Sequence, residues 1–259
     1  MGGKIILIFI FFNLITVKSQ SLDVFYEVDF RSKKSDTLRK KEDVILLIDT
    51  KNKVSSFGPS EGRGRDKFNT YIQKKYTDGR FFVFKPIMLE YYKTEYDFHS
   101  KWLLLDDEKK ISIYNCRKAV IEFGERTWEA WYTPELAFAD GPYKFSGLPG
   151  LILSIESTDG DYIFKFKGIE KSKNENILPS ATPLNTGQLN QLIQKTLKDP
   201  SHRYRMMVSE LASSGLSVTA KYNGRELSDK DTEKSLNDNF WNWLKNNDNP
   251  IEKNDIWTN

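Results

Sequence analysis

The sequence predicts a mainly β protein of the α+β class: an antiparallel sheet, curved or shaped as a partly open barrel, followed by a helical C-terminal segment. Aromatic residues make up 14% of the chain, and they favour strands because their side chains pack well on a pleated surface. Apolar and polar residues alternate along much of the chain before residue 172, and helical spacing dominates only after it. Short turns join successive strands, so we expect neighbouring strands to be antiparallel.

The N-terminus has the features of a secretory signal peptide, residues 1–19, which leaves a mature chain that starts near Gln20. Lys4 supplies the positive charge, and the apolar run 5–17 is shorter than the roughly 20 residues that a membrane-spanning helix needs. Val17 and Ser19 are small enough for a signal-peptidase site. An uncleaved N-terminal anchor is the alternative. We expect no transmembrane segment in the mature chain, because no second long apolar run follows.

Period-two alternation identifies the strands of the first half. Val24, Tyr26, Val28 and Phe30 fall on one face of a predicted strand over residues 22–31. Further strands are predicted at 44–50, 54–57, 81–85, 88–96, 101–105 and 111–114, with an acidic turn at 106–109. A spacing of four between apolar residues predicts a helix at 66–76, after a loop at 58–64.

The second half begins with two predicted hairpins, 120–123 with 127–132 and 151–156 with 162–169, the latter turning at Gly160. Helices are predicted at 188–198 with Thr186 as cap, at 204–212, and after Ser235, and we expect the asparagine-rich end to be frayed. The predicted organisation is therefore a signal peptide (1–19), a β domain (20–172), and a linker with a helical segment (173–259) packed on that domain.

The most distinctive motif is the hexapeptide GLPGLI at residues 147–152. The chain resembles the GLPGLI family of exported bacterial proteins, which is named for this hexapeptide, and the resemblance extends to Tyr114, Cys116, Lys118 and Ala119. It implies export, to the periplasm or to the periphery of the outer membrane of a Gram-negative bacterium. The role of the family is uncharacterised, so the resemblance assigns no catalytic residue.

Two interpretations of this motif are open. Gly147 and Gly150 permit backbone angles that other residues avoid, and Pro149 fixes its own φ, so the motif could be a rigid corner that sets the register of the sheet. Alternatively, the motif and its aromatic neighbours form the rim of an apolar pocket or a docking surface. The candidate binding residues are Trp131, Tyr132, Pro142, Tyr143, Phe145, Gly147, Leu148, Pro149 and Gly150.

The residues that carry chemistry do not form a recognisable catalytic or metal site. His99 and His202 lie far apart and outside any zinc-ligand spacing, and no cofactor motif is present. Cys116 is the only cysteine, which excludes an internal disulfide. It is either a core residue or a free thiol. The chain has 39 basic and 36 acidic residues, and this balance argues against nucleic-acid binding.

Three functions remain compatible with the sequence. The one we favour is a non-catalytic binding or carrier protein of the cell envelope for an apolar small molecule. The second is an accessory protein of an outer-membrane complex, in which the GLPGLI corner would be exposed to an envelope protein. The third is a hydrolase with an unrecognised site. The absence of a catalytic set of residues favours the first two.

Overall fold

A computed structural model describes residues 21–60, 68–99, 101–172, 176–217, 219–222 and 224–255. The predicted signal peptide, and residues 61–67 of the predicted loop and helix, lie outside these ranges. The strands are β1 (Leu22–Phe30), β2 (Lys40–Asp49), β3 (Val54–Pro59), β4 (Tyr71–Lys75), β5 (Arg80–Ile87), β6 (Glu90–Tyr96), β7 (Leu103–Ile111), β8 (Tyr114–Phe123), β9 (Arg126–Thr133), β10 (Leu151–Ser157), β11 (Tyr162–Lys171) and β12 (Thr182–Pro183). Then follow α1 (Thr186–Lys198), α2 (His202–Ser213), β13 (Ala220–Tyr222), β14 (Arg225–Leu227) and α3 (Asp229–Lys245).

Strands β1 to β12 form a single sheet in the order β12-β6-β5-β4-β3-β2-β1-β11-β10-β9-β8-β7. Every neighbouring pair is antiparallel except β12 and β6, which are parallel. The sheet therefore consists of two antiparallel meanders, β1 to β6 and β7 to β11, which meet where β1 pairs with β11. The predicted antiparallel β architecture is confirmed.

The sheet curves strongly around one buried segment. The Lys74 ammonium on β4 donates to the Phe145 carbonyl at 3.0 Å, and the Phe123 ring at the end of β8 lies 5.5 Å from the Phe145 ring. In the strand order β4 and β8 are seven spacings apart, which would be about 33 Å in a flat sheet. Both strands reach Phe145 only because the sheet curls around it. Among the described residues the outermost strands, β12 and β7, do not pair with each other, so the sheet is open.

The core lies on the concave side of this curve. The side chains of Val24, Tyr26 and Val28 alternate along β1 and are fully buried, as their spacing predicts. Phe164 on β11 and Ile155 on β10 join the same core. The inward face of β1 therefore follows directly from its period-two pattern.

Three of the predicted local structures are wrong, and one of them is the strand predicted at 111–114, where residues 112 and 113 form the turn between β7 and β8. Residues Tyr71–Lys75, inside the predicted helix 66–76, form strand β4, because residues four apart share a face in a strand as well as in a helix. The predicted acidic turn at 106–109 lies inside β7. The chain instead reverses at Ser112, where φ is 55°.

The C-terminal segment is helical, with corrected boundaries. Asn185, not Thr186, caps α1, in a capping box with Gln188. The last helix begins at Asp229 with Ser228 as its cap, well before the predicted cap at Ser235. Helix α1 packs on β5 and β6 through a small apolar cluster of Ile87, Tyr92, Leu189 and Ile193. No described helix combines the length and the apolar character needed to cross a membrane.

The asparagine-rich end is not frayed over residues 248–255. Asn249 and Ile251 are buried, and the Asn249 N–H donates to the Ser32 carbonyl at 3.1 Å. The expectation failed because asparagine content indicates local polarity, whereas these residues are ordered by partners that are distant in the sequence.

Candidate functional site

A cavity of about 680 Å³ lies between α3 and one end of the curved sheet. Its floor comes from the ends of strands, including Phe30 of β1 and Tyr162 of β11, and from Phe68 just before β4. One side is the turn between β5 and β6. The roof is α3, and the residues from Asn249 to Ile251 close the far side.

Helix α3 presents one face to the cavity because of the spacing of its residues. Leu236, Phe240 and Trp243 follow at intervals of four and three, which places them along one side of the helix. Phe240 is buried, whereas the neighbouring Trp241 is 47% exposed. The helix starts where the Ser228 hydroxyl accepts a bond from the Asp231 N–H. It ends beside the cavity, at Asn246.

The N-terminal end of α3 is fixed through α2. The Tyr204 hydroxyl donates to Asp229 at 2.8 Å, and Arg205 pairs with Glu233 at 2.8 Å. Helix α2 is in turn joined to β6, because Arg203 donates to Glu90 at 2.8 Å. The roof of the cavity is therefore tied to the sheet by polar contacts rather than by extensive apolar packing.

The segment that follows α3 is fixed by Arg126, at the start of β9, whose side chain is fully buried. Its guanidinium donates to the side chain of Asn249 at 2.6 Å and to the carbonyl of Ile251 at 3.1 Å. It also pairs with Asp159 and with Asp161. Burial by itself would raise the pKa of Asp159, but hydrogen bonds from Ser157 and the Asp161 N–H, with the Arg126 charge, lower it to about 2. Arg126 thus remains paired at neutral pH.

Aromatic rings and side-chain amides dominate the described lining. The aromatic residues are Phe30, Phe68, Tyr91, Tyr162, Phe240 and Trp243. The amides are Asn69, Asn239, Asn242, Asn246, Asn247 and Asn249. The floor residues Phe30, Phe68 and Tyr162 are buried, whereas Asn239, Asn242 and Asn246 are exposed at the rim. The cavity is therefore apolar at depth and polar at its mouth, an arrangement common in small-molecule sites.

The charged groups of the described lining are already paired. Lys85 binds both carboxylate oxygens of Asp255, at 2.8 and 2.7 Å. Glu90 accepts from Arg203 and from the Tyr92 hydroxyl, and these bonds lower the pKa of the Glu90 carboxyl. Burial, with the bond to Glu90, raises the pKa of Tyr92 to about 12. At neutral pH Glu90 is therefore ionised and Tyr92 is a neutral donor.

The residues predicted to bind a ligand lie elsewhere, at the GLPGLI corner inside the curve of the sheet. Tyr132, Pro142, Tyr143, Phe145, Leu148 and Gly150 are buried, Trp131 is half-buried, and Gly147 and Pro149 are exposed. None of the nine is among the described residues that line the cavity. The corner supports the cavity indirectly, since the Tyr143 ring packs edge-on against Phe68 at 6.0 Å. Binding at the corner itself stays a prediction, and it would involve the accessible Trp131, Gly147 and Pro149.

The corner is held by buried polar contacts with the sheet. Lys74 on β4 pairs with Asp140 at 2.7 Å and donates to the Gly141 carbonyl at 2.8 Å. The Tyr26 hydroxyl donates to the Ile152 carbonyl at 2.8 Å. Leu148 and Ile152 are 1% and 0% exposed. A docking surface built on those two side chains is therefore wrong, because both belong to the core.

Cys116 and the two histidines do not converge. Cys116 is buried on β8, and burial raises the pKa of its thiol, which disfavours the reactive thiolate. His202 is exposed and lies 3.9 Å from Asp199, and His99 lies at the end of the segment that follows β6. Within the described part of the chain, no group of three or more metal-ligating side chains comes together.

Sequence reasoning missed most of this cavity. The sequence predicts a helix after Ser235, but neither Leu236 nor Trp243 stands out in it as a cavity residue. Arg126 lies between the predicted strands 120–123 and 127–132, which places it in a turn. A signal for this role is present in the sequence. Arg126 lies at the turn of one predicted hairpin, and Asp159 and Asp161 lie at the turn of the next, so a side-by-side arrangement of the two hairpins would bring these opposite charges together.

The central segment of the chain is similar to a known protein family. Residues 122–154 match a family described as "Protein of unknown function (Porph_ging)". This segment covers the end of β8, β9, the corner and the start of β10. No curated protein gives a significant match.

Two solved structures of PNGF-II, in the C2 and P21 space groups, resemble the fold. They are 17% and 18% identical to this chain, with TM-scores of 0.54 and 0.52, and each alignment covers 68% of this chain. It covers 33% and 34% of PNGF-II, so the matched part of this chain corresponds to about a third of that protein. A LolA superfamily protein from Nitrosomonas europaea, 11% identical over 62% of this chain and 89% of its own, has a TM-score of 0.28, which is too low to support an argument. The chain therefore shares a fold with part of PNGF-II, and its central segment resembles a family of unknown function.

Proposed function

We propose that this protein is an exported, non-catalytic binding or carrier protein of the cell envelope, of the GLPGLI type, and that it holds a small apolar ligand in the cavity under α3. The observation that carries the proposal is the cavity itself. Its volume of about 680 Å³ lies within the range of about 300–1,000 Å³ that is typical of small-molecule sites.

The lining supports binding rather than catalysis. Removing apolar surface from water contributes about 25 cal/mol per Å², and accessible lining residues such as Met88, Leu89 and Trp243 offer such surface above the aromatic floor. The ionisable groups nearest the cavity are engaged in ion pairs, as Lys85 is with Asp255. They are therefore poorly suited to act as a general base or a nucleophile.

The envelope location rests on the predicted signal peptide and on the family resemblance. A periplasmic or peripheral outer-membrane carrier would need to shield an apolar molecule from water during transfer. A roof helix that is joined to α2 at its N-terminal end by polar contacts, and that covers an apolar floor, suits that task.

Native mass spectrometry of residues 20–259, purified gently from the envelope fraction, tests the proposal. We expect an added mass that denaturation releases. Trp243→Ala should lose most of it, because this ring lines the cavity, whereas Trp241→Ala on the exposed side of the same helix should retain it. An apo mass for the unmodified protein, or equal loss from both variants, would contradict the proposal.

A further inference from the structure

We infer that the cavity takes an uncharged amphiphile, with an apolar chain held against the aromatic floor and a head group that donates hydrogen bonds through hydroxyls at the rim. A monoacylglycerol has this chemistry. The inference deepens the proposed function and rests on it, because it names the class of ligand for the same cavity.

The first argument is charge. The three charged residues of the described lining, Lys85, Glu90 and Asp255, each have a counter-charge: Lys85 and Asp255 pair with each other, and Arg203 pairs with Glu90. A charged head group entering the cavity would lose water without gaining an unengaged partner. This loss of water is unfavourable for an ion, so a neutral head group is favoured.

The second argument is the polarity of the rim. The side-chain NH₂ groups of Asn246 and Asn247 donate to carbonyls of α3 itself, at 2.9 and 2.7 Å. The NH₂ group of Asn239 donates to Ser235 at 3.2 Å. Each of these NH₂ groups has a second N–H, and each side chain also has its carbonyl oxygen, so the rim can both donate and accept. A hydroxyl head group also donates and accepts, and it therefore matches a rim of amides.

The third argument is the direction of α3. Its C-terminal end lies at the cavity, through Asn242, Trp243 and Asn246. The carbonyl end of a helix carries a partial negative charge and slightly disfavours anions. A cation gains the same small amount, but this gain is smaller than the cost of burying it without a free carboxylate. Anionic and cationic amphiphiles are therefore both disfavoured.

Calorimetric titration of residues 20–259 with three probes of equal chain length tests this inference. The probes are 1-dodecanoylglycerol, dodecanoate and dodecylammonium, each below its micelle concentration. We expect 1-dodecanoylglycerol to bind at least tenfold more tightly than either ion. If an ion binds as tightly as the glyceride, the inference is overturned while the proposed function stands. If none of the three probes binds, the inference and the proposed function both fail for single-chain amphiphiles.

A charge variant makes the test sharper. Asp255→Asn should leave Lys85 without its carboxylate partner, so dodecanoate should gain at least tenfold in affinity while 1-dodecanoylglycerol changes less than threefold. Asp238→Asn, which removes an exposed carboxylate from α3 outside the described lining, is the matched control and should change neither. Unchanged dodecanoate binding in Asp255→Asn would refute the role assigned to the paired charges.

Discussion

At the residue scale, the structure depends most visibly on the backbone at Gly150. Its φ is 150°, and a Cβ built there would overlap the carbonyl oxygen of Thr133 at the end of β9. The absence of a side chain allows the corner to return directly beside β9 and to enter β10. The second glycine of the GLPGLI motif is therefore required by packing, and the sequence could indicate this because only glycine tolerates such an approach.

We predict that Gly150→Ala destabilises the protein by about 3 kcal/mol or more, since it adds both backbone strain and a clash with main chain that cannot move independently. Gly168→Ala on β11 is the control, because a Cβ there meets nothing within 4 Å and its φ is not positive. Urea unfolding followed by circular dichroism measures both. Equal stability of the two variants would show that the corner can shift.

At the element scale, Lys74 joins β4 to the corner. Its side chain is 1% exposed and that of Asp140 is 3% exposed, and burial lowers the pKa of Lys74 although the adjacent Asp140 opposes the shift. We predict that Lys74→Met costs about 3–5 kcal/mol of unfolding free energy, because it leaves the Asp140 carboxylate buried without a counter-charge.

Two comparisons make the Lys74 prediction specific. The double variant Lys74→Met/Asp140→Asn should recover a large part of the lost stability, because it removes the unpaired charge. Lys110→Met on the exposed edge strand β7 should change the stability by about 0.5 kcal/mol or less. If the double variant were no more stable than Lys74→Met in thermal denaturation, packing rather than charge would explain the effect.

Elements whose pattern has only one interpretation were predictable from the sequence. The hairpin of β10 and β11 follows from apolar residues at alternate positions on both sides of Gly160, and its predicted limits are within two residues of those observed. Strand β4 was mistaken for a helix because Phe68, Ile72 and Tyr76 satisfy both periods. The acidic stretch of β7 was taken for a turn because an edge strand exposed to solvent carries no apolar alternation, and charge is how edge strands avoid mispairing.

At the scale of the whole molecule, the decisive contacts join parts that are far apart in the sequence. Strand β1 pairs with β11, which brings residue 22 beside residue 171. The segment 248–255 returns to the ends of β1 and β9. Local patterns carry no information about such pairings, since many strands present an equivalent apolar face. The cavity could not be predicted for the same reason, because its floor, side and roof come from distant segments.

This closure by the C-terminal segment leads to the last prediction. Asn249 and Ile251 accept hydrogen bonds from Arg126, and the Ile251 side chain is buried in the core. The same residues close one side of the cavity. A chain ending at Asn247 leaves the buried guanidinium without those acceptors, so we expect it to lose about 3 kcal/mol of stability, or roughly 6–12 °C in melting temperature. A chain ending at Asp255 keeps every contact described here and is the control. Scanning calorimetry, with 1-dodecanoylglycerol added in parallel, should show that only the shorter chain loses both stability and stabilisation by the amphiphile. Retention of full stability by the chain ending at Asn247 would mean that the sheet and corner alone form the stable unit, and that the segment covers the cavity without supporting the fold.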